Sequence, residues 1–233
     1  MILEHQNKKI FLLIPAYNEE RKIGQVIDSL KKSGYHDILV IDDGSKDKTA
    51  EYAKNSGAEI LRHIINRGQG ASLRTGIEYL REEYNPDIIV TFDADGQHRV
   101  EDIALLLKPV IDNEFDIALG SRFLCKKCHM TPMRKLILKA GIIFTRLISR
   151  INLTDTHNGF RALGRKAIDS IKISHRGMEH ASDIIDEISV KKLKYKEVPT
   201  EIIYSKYSIQ KGTNKNIDFI KMGIKIILNK ILS

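Results

Sequence analysis

The run Ile88-Ile89-Val90-Thr91-Phe92 passes without a break into Asp93-Ala94-Asp95-Gly96-Gln97-His98. An apolar, β-branched stretch of this kind predicts a strand buried on both faces, as in a parallel sheet. Two carboxylates one residue apart then stand at its carboxyl end, the edge where parallel α/β sheets bind ligands. Asp93 and Asp95 can converge on one hard divalent cation, with the Gln97 amide oxygen as a third ligand and Gly96 supplying the tight turn. A strand followed by an ordinary acidic turn reads the same way over so short a stretch, so the rest of the chain has to decide.

The alternation continues on both sides of this run. Ile10–Ile14 reads as a first buried strand, and Pro15-Ala16-Tyr17-Asn18-Glu19-Glu20 as the loop leaving it. Ile23, Val26, Ile27 and Leu30 repeat at helical spacing, with Gly34 where that helix should stop. Ile38–Ile41 is a second strand, and it too ends in paired carboxylates, Asp42-Asp43. A short helix carrying Ala50 and Ala53 and a strand over Ala58–Leu61 follow. Asn66–Gly70 reads as a glycine loop, and a helix with Leu73, Ile77 and Leu80 on one face comes next. After the opening stretch come a helix marked by Ile103, Leu106, Leu107 and Val110, and a strand over Asp116–Gly120 that ends in Ser121-Arg122. Strand and helix in turn predict an α/β fold with a mainly parallel central sheet and helices on both faces. Because the polar loops all follow strands, they gather on one edge.

From Pro132 the pattern changes. Met133, Leu136, Ile137, Ala140, Ile143, Phe144, Leu147, Ile148 and Ile151 make one broad face of a long helix, with Lys135, Lys139, Arg146 and Arg150 on another. Thr154–Ala162 reads as a polar loop, Met178–Leu193 as a helix, and Glu197–Tyr204 as a last strand that Pro199 marks as an edge or a bulge. Ser205–Lys215 is a basic loop. Ile217, Ile220, Ile224, Ile227 and Ile231 then stripe a C-terminal amphipathic helix whose other face holds Lys221 and Lys225. Neither basic helix is long enough to span a membrane. Each fits a bilayer interface, with its cations toward anionic headgroups, or the flank of the sheet with a solvated basic rim.

A hydrophobic fraction of 42% and a charged fraction of 29% suit a single soluble domain over residues 1–233, and a net charge of +8 points to an anionic partner. Cys125-Lys126-Lys127-Cys128-His129 matches a haem-attachment spacing, but no export signal is visible at the start, so reduced thiols in a cytosolic loop are the expectation. Basic residues lie mostly after Lys126 without interleaved aromatics to stack on bases, which argues against nucleic acid. There is no Walker loop and no dinucleotide glycine fingerprint, which removes kinase and dehydrogenase readings. Glu19, Asp42, Asp43, Asp93 and Asp95 crowded on one edge would repel one another. A divalent metal with a nucleotide diphosphate resolves that conflict, because the metal bridges carboxylates to phosphates and the other acids accept hydrogen bonds from base and ribose.

Six stretches in order, Ile14-Pro15-Ala16-Tyr17-Asn18-Glu19, Asp42-Asp43-Gly44-Ser45, Asn66-Arg67-Gly68-Gln69-Gly70, Asp93-Ala94-Asp95-Gly96-Gln97-His98, Gly120-Ser121-Arg122 and Asn158-Gly159-Phe160-Arg161, resemble the family 2 glycosyltransferases. Within that family the chain is most similar to the dolichol-phosphate mannosyltransferase and undecaprenyl-phosphate sugar transferase branch. The resemblance implies a GT-A fold and an inverting transfer from a nucleotide-diphosphate sugar with Mg or Mn. It implies a nucleotide-binding half over about 10–122, an acceptor half over about 123–204, and the basic loop and helix of 205–233. By the same likeness Pro15, Tyr17, Glu19 and Asp43 hold the nucleoside, and Ala16, Asp42, Gln69 and Ala94 belong to the nucleotide-sugar pocket. Asp93 links nucleotide to metal, and Asp95 and Gln97 complete the metal site. Arg122 and Arg134 match positions that bind an acceptor phosphate, with Lys206 standing where the branch often has an arginine. The implied place of work is the cytoplasmic face of a membrane, with the protein peripheral on it.

The acceptor is less sharply defined. Leu138 replaces a serine that the branch often shows four residues after its acceptor arginine, and Lys211-Gly212-Thr213-Asn214-Lys215 departs from its usual C-terminal motif. Transfer to a sugar hydroxyl, for example on a lipid-linked glycan, therefore stays open. A hydroxyl needs a base within hydrogen-bond reach, and Glu179 and Asp183, one helical turn apart, are the candidates unless they simply face solvent. A nucleotidyltransferase is a further alternative, but its usual basic glycine-rich N-terminal loop is replaced here by the acidic Pro15–Glu20.

Overall fold

In β1 (Ile10–Ala16) successive side chains enter opposite layers. Ile10, Leu12 and Ile14 pack with one buried cluster, Phe11 and Leu13 with the other. This is the two-faced burial of a central parallel strand, in which neighbouring side chains point to opposite sides of the sheet. The computed structural model describes residues 8–125, 142, 151–156 and 158–203.

Around β1 the elements run α1 (Ile23–Lys32), β2 (Ile38–Asp42), α2 (Thr49–Asn55), β3 (Glu59–Arg62), α3 (Gln69–Tyr79), β4 (Ile88–Thr91), α4 (Ile103–Ile111), β5 (Ile117–Ser121), β6 (Arg161–Gly164), α5 (Arg165–Ser170), α6 (His180–Val190) and β7 (Tyr195–Pro199). The seven strands order as β3-β2-β1-β4-β6-β5-β7. Ile23, Val26, Ile27 and Leu30 of α1 and Ile103, Leu106, Leu107 and Val110 of α4 cover one face. Leu73 and Ile77 of α3 and Ile184, Ile185 and Ile188 of α6 cover the other. Each such Leu or Ile contributes about 1.5–3 kcal/mol on full burial. Gly34, at φ +88°, follows the end of α1, as its position predicts.

Three expectations are corrected. The expected loop over Thr154–Ala162 gives way to β6 at Arg161, and β6 runs antiparallel to both β4 and β5. Only four residues long and uniformly buried, it lacks the alternation that would mark it in the sequence. The last strand lies earlier than Glu197–Tyr204, at Tyr195–Pro199, and Pro199 ends it on the sheet's outer edge. Gln69 and Gly70 open α3 rather than extending the loop before it. The segments expected to form the two basic amphipathic helices, with Arg134, Lys206 and Cys128, lie outside the described residues except at Ile142 and Ile151. No helix among the described residues is long and apolar enough to cross a membrane.

Candidate active site

The parallel register sets Ala16 of β1 level with Asp42 of β2, and Leu13 level with Thr91 of β4. The loops after these strands therefore share one edge, as predicted. Since β6 is antiparallel, it begins at that edge instead of ending there, and sets Arg161 level with Thr91. Chain direction alone thus delivers a cation to the acidic rim.

The first two loops are laced together. The Asn18 backbone N–H donates to Ser45 Oγ at 2.9 Å, Lys46 N–H to Asn18 Oδ1 at 2.9 Å, and Glu19 N–H to Thr49 Oγ1 at 2.8 Å. Asn18 takes a left-handed φ of +53°, which an asparagine tolerates better than most residues. Glu19 is buried, while Tyr17 stands at the rim, 39% exposed. Pro15 continues β1 past its last pairing with β4, where its missing N–H withdraws no ladder bond on that side.

Asp42 is fully buried, accepting from Ser45 N–H at 3.1 Å and standing 2.9 Å from Arg62 Nε. Asp43 organises the next loop. Its carboxylate accepts from Arg67 N–H at 2.9 Å and Gly68 N–H at 2.7 Å, and lies 2.7 Å from His63 Nδ1. Gly68 has φ +95°, and a side chain there would run into the Arg176 carbonyl. The same carbonyl accepts from Ala71 N–H at 3.1 Å, so the turn before α6 closes over the start of α3. Ala16 and Ala94 turn their methyl groups into the core, which leaves only their backbones toward the rim.

Asp93 and Asp95 follow β4 as the sequence implies. Asp93 Oδ1 accepts from Gln69 Nε2 at 3.2 Å, and Asp93 Oδ2 lies 2.9 Å from His98 Nε2. His98, to which sequence reasoning gave no role, is held against Phe92 and Phe160, at ring-centroid distances of 5.5 and 4.7 Å. A Cβ at Gly159 would lie 3.0 Å from Asp93 Oδ1, so a larger residue there would crowd that carboxylate. Burial raises the pKa of Asp95, and the charges of Asp93 and Glu19 raise it further, against hydrogen bonding and the influence of His98. Asp95 accepts from the Gln97 N–H at 3.0 Å and from the Gln97 amide nitrogen at 2.5 Å. Rotating that amide by half a turn presents the oxygen that a metal would require. Among the described residues no three His, Cys, Asp or Glu side chains form a ready metal cage. Two carboxylates one residue apart and an amide suit an ion that completes its shell with phosphate oxygens and water, as Mg does.

On the other side of Asp93 the rim is basic. Arg122, buried after β5, grips Asp155 with Nε to Oδ2 and Nη2 to Oδ1, both at 2.7 Å. Its backbone N–H also donates to Asp155 Oδ2, at 3.1 Å. Arg161 is buried, and burial pulls its pKa down to about 10 against the charges of Asp93 and Asp155, so it stays protonated at neutral pH. Its Nη1 has no hydrogen-bond partner among the described residues. Neither Asp155 nor Arg161 was assigned a role from sequence. Arg161 closes a recognised motif, but its place depends on the direction of β6.

The two proposed bases do not stand together as a free pair. Asp183 accepts from Ser174 N–H at 2.8 Å and His175 N–H at 2.7 Å, and its other oxygen lies 2.6 Å from His175 Nδ1. It therefore ties down the turn before α6. Glu179 is the half-buried residue preceding that helix, with its carboxylate folded back over Gly177.

His180, the first residue of α6, is held neutral. Burial first and then the charge of Arg161 lower its pKa to about 4, despite the Nδ1–H donating to the Gly177 carbonyl at 2.9 Å. The folded pKa lies below the unfolded value of about 6.5, so the unfolded chain takes up the proton first. Stability from this group is complete above about pH 6.5 and is lost as pH falls toward 4, by about 2 kcal/mol between pH 7 and pH 5. Denaturant midpoints at the two pH values should show His180→Gln losing less stability than the wild type; equal losses would refute the assignment.

The family described as glycosyl transferase family 2 matches residues 11–172. The chain belongs to that family. This glycosyltransferase is 42% identical, over 99% of its length and 96% of the relative's, to an uncharacterised protein of Methanocaldococcus jannaschii. It is 33% identical, over 97% of both chains, to a UDP-N-acetylglucosamine–dolichyl-phosphate N-acetylglucosaminyltransferase of Methanococcus voltae. Against an undecaprenyl-phosphate mannosyltransferase of Micrococcus luteus it is 32% identical over 72% of this chain and 73% of that one. Its GT-A fold is shared with glucosyl-3-phosphoglycerate synthase from Mycobacterium tuberculosis, crystallised with Mg2+ and UDP. The TM-score is 0.70 at 17% identity, covering 90% of this chain and 78% of that one.

Proposed function

We propose that this glycosyltransferase moves a sugar, with inversion, from a nucleotide-diphosphate donor to a polyprenyl phosphate at the cytoplasmic membrane surface. The observation that carries the choice of acceptor is the engagement of Asp183. A hydroxyl acceptor needs a base with a carboxylate oxygen to offer, whereas all the hydrogen bonding of Asp183 seen here goes to its own loop. A phosphate monoester, with a second pKa of about 6, is already an anionic nucleophile at neutral pH and needs no such base. A relative that matches over 97% of both chains is named for dolichyl phosphate, which supports the same choice.

On this reading Asp93, Asp95 and Gln97 would hold Mg or Mn, which when bound supplies positive charge to the leaving diphosphate. Glu19 and the laced β1 and β2 loops shape the nucleoside end. Arg122 faces the acceptor phosphate, with Arg134 and Lys206 assigned to the same anion. The acceptor oxygen attacks the anomeric carbon from the side opposite the nucleotide, the bond to the diphosphate breaks, and the nucleoside diphosphate departs with that electron pair. One displacement inverts the anomeric centre.

The test is product analysis with dolichyl phosphate and labelled UDP-N-acetylglucosamine or GDP-mannose in the presence of Mn. A lipid product that releases its sugar in mild acid is expected. A stable glycosidic disaccharide would instead establish hydroxyl transfer.

A further inference from the structure

Glu197 sits in the middle of the edge strand β7, level with Leu119 of β5, and its carboxylate turns toward the segment that carries Asp155. Thr154 N–H donates to both of its oxygens at 2.9 Å, Thr154 Oγ1 to Oε1 at 2.9 Å, and Asp155 N–H to Oε1 at 3.0 Å. The segment from Ile151 to Asp155 belongs to no strand, so this one side chain supplies acceptors that a sheet neighbour would otherwise provide. Thr154 Oγ1 also lies 2.7 Å from Ser121 Oγ, next to Arg122 in the chain. Asp155 in turn fixes the Arg122 guanidinium through the two 2.7 Å contacts of its fork.

We propose that Glu197 is a positioning residue for the acceptor: through Thr154 and Asp155 it sets where the Arg122 guanidinium stands. The proposal rests on Arg122 binding the acceptor phosphate. Displacing a positioning group by about 1 Å can cost a factor of about 10² in rate, so a residue that touches no substrate can govern acceptor use. The nucleotide side should be indifferent, because the loops after β1 and β2 are laced to one another, and the loop after β4 is tied to residues 201–203 beyond β7 and not to Glu197.

Oε1 makes three of the four contacts, so the amide oxygen of glutamine can replace it whereas a methyl group cannot. With dolichyl phosphate as acceptor, Glu197→Ala should raise the acceptor KM at least 10-fold, with UDP affinity in Mn by calorimetry within about 2-fold of wild type. Glu197→Gln should restore the KM to within about 3-fold, and Lys196→Ala, an exposed side chain on the opposite face of the same strand, should leave it unchanged. Should Glu197→Ala fail to fold, Glu197→Asp withdraws the carboxylate by one methylene and is expected to raise the KM likewise. An unchanged acceptor KM in the folded variant overturns the proposal. So does a parallel loss of UDP affinity, which would mark a general structural role. A wild type that binds UDP but makes no lipid-phosphate sugar would refute the acceptor reading itself, and the assignment of Glu197 with it.

Discussion

Asp95→Asn should unfold at a higher temperature than the wild type in chelator at neutral pH, and should transfer sugar at least about 10²-fold more slowly. Both effects come from one carboxylate. Burial raises its pKa first, and the charges of Asp93 and Glu19 add to that. A carboxyl whose folded pKa lies above its unfolded value stabilises the fold at low pH, and that contribution is lost as pH rises through its titration. Without metal, holding the Asp95 carboxylate ionised in the fold is therefore unfavourable, and the amide removes that cost. A gain of about 2–4 °C corresponds to about 1 kcal/mol in a chain of this size. Adding Mn should stabilise the wild type, because the ion binds only the folded state, and should do so far less for the variant. Melting curves with chelator and with Mn check both halves. An unshifted wild type in Mn, or a variant stabilised by Mn as much as the wild type, would remove Asp95 from the metal site, and a variant no more stable than wild type in chelator would refute the buried-charge argument.

Asp155→Ala should be the most destabilising single change on the acceptor side. Arg122 and Asp155 are both buried and meet in a two-point fork. Removing one partner leaves the other charge buried, at a cost of about 3–5 kcal/mol, whereas replacing both by apolar residues is often neutral. Arg122→Met combined with Asp155→Leu should therefore recover most of the stability lost by Asp155→Ala while staying inactive toward dolichyl phosphate. That result separates the pair's contribution to folding from its contribution to acceptor binding. If the double variant transfers sugar at the wild-type rate, Arg122 has no part in the reaction. If it melts as low as Asp155→Ala, buried charge is not the source of the instability.

The parts of the fold that the sequence revealed are those in which periodicity and position agree. Ile23, Val26, Ile27 and Leu30 repeat at 3.6-residue spacing and form the buried stripe of α1. Asp42 and Asp93 follow apolar runs and lie at the strand ends those runs imply. Pairings between distant segments were not legible. Arg161 meets Thr91 only because β6 enters the sheet in the opposite sense, and nothing within four buried residues specifies a direction. Asp183 looked like an available acid on a helix face, yet three contacts from a turn eight and nine residues upstream engage it. Glu197 looked like one more polar residue in a strand, because Thr154, 43 positions away, is invisible from its neighbourhood.

The antiparallel entry of β6 has an evolutionary consequence. The chain leaves the sheet after Ser121 and re-enters it at Arg161 on the same edge, so the intervening excursion begins and ends beside the reaction centre. Lengthening such an excursion adds little closure entropy, about 0.6 kcal/mol per doubling, and needs no change in strand register. On the proposed reading, selection can exchange this stretch to suit a new acceptor while the donor side before residue 122 is inherited intact.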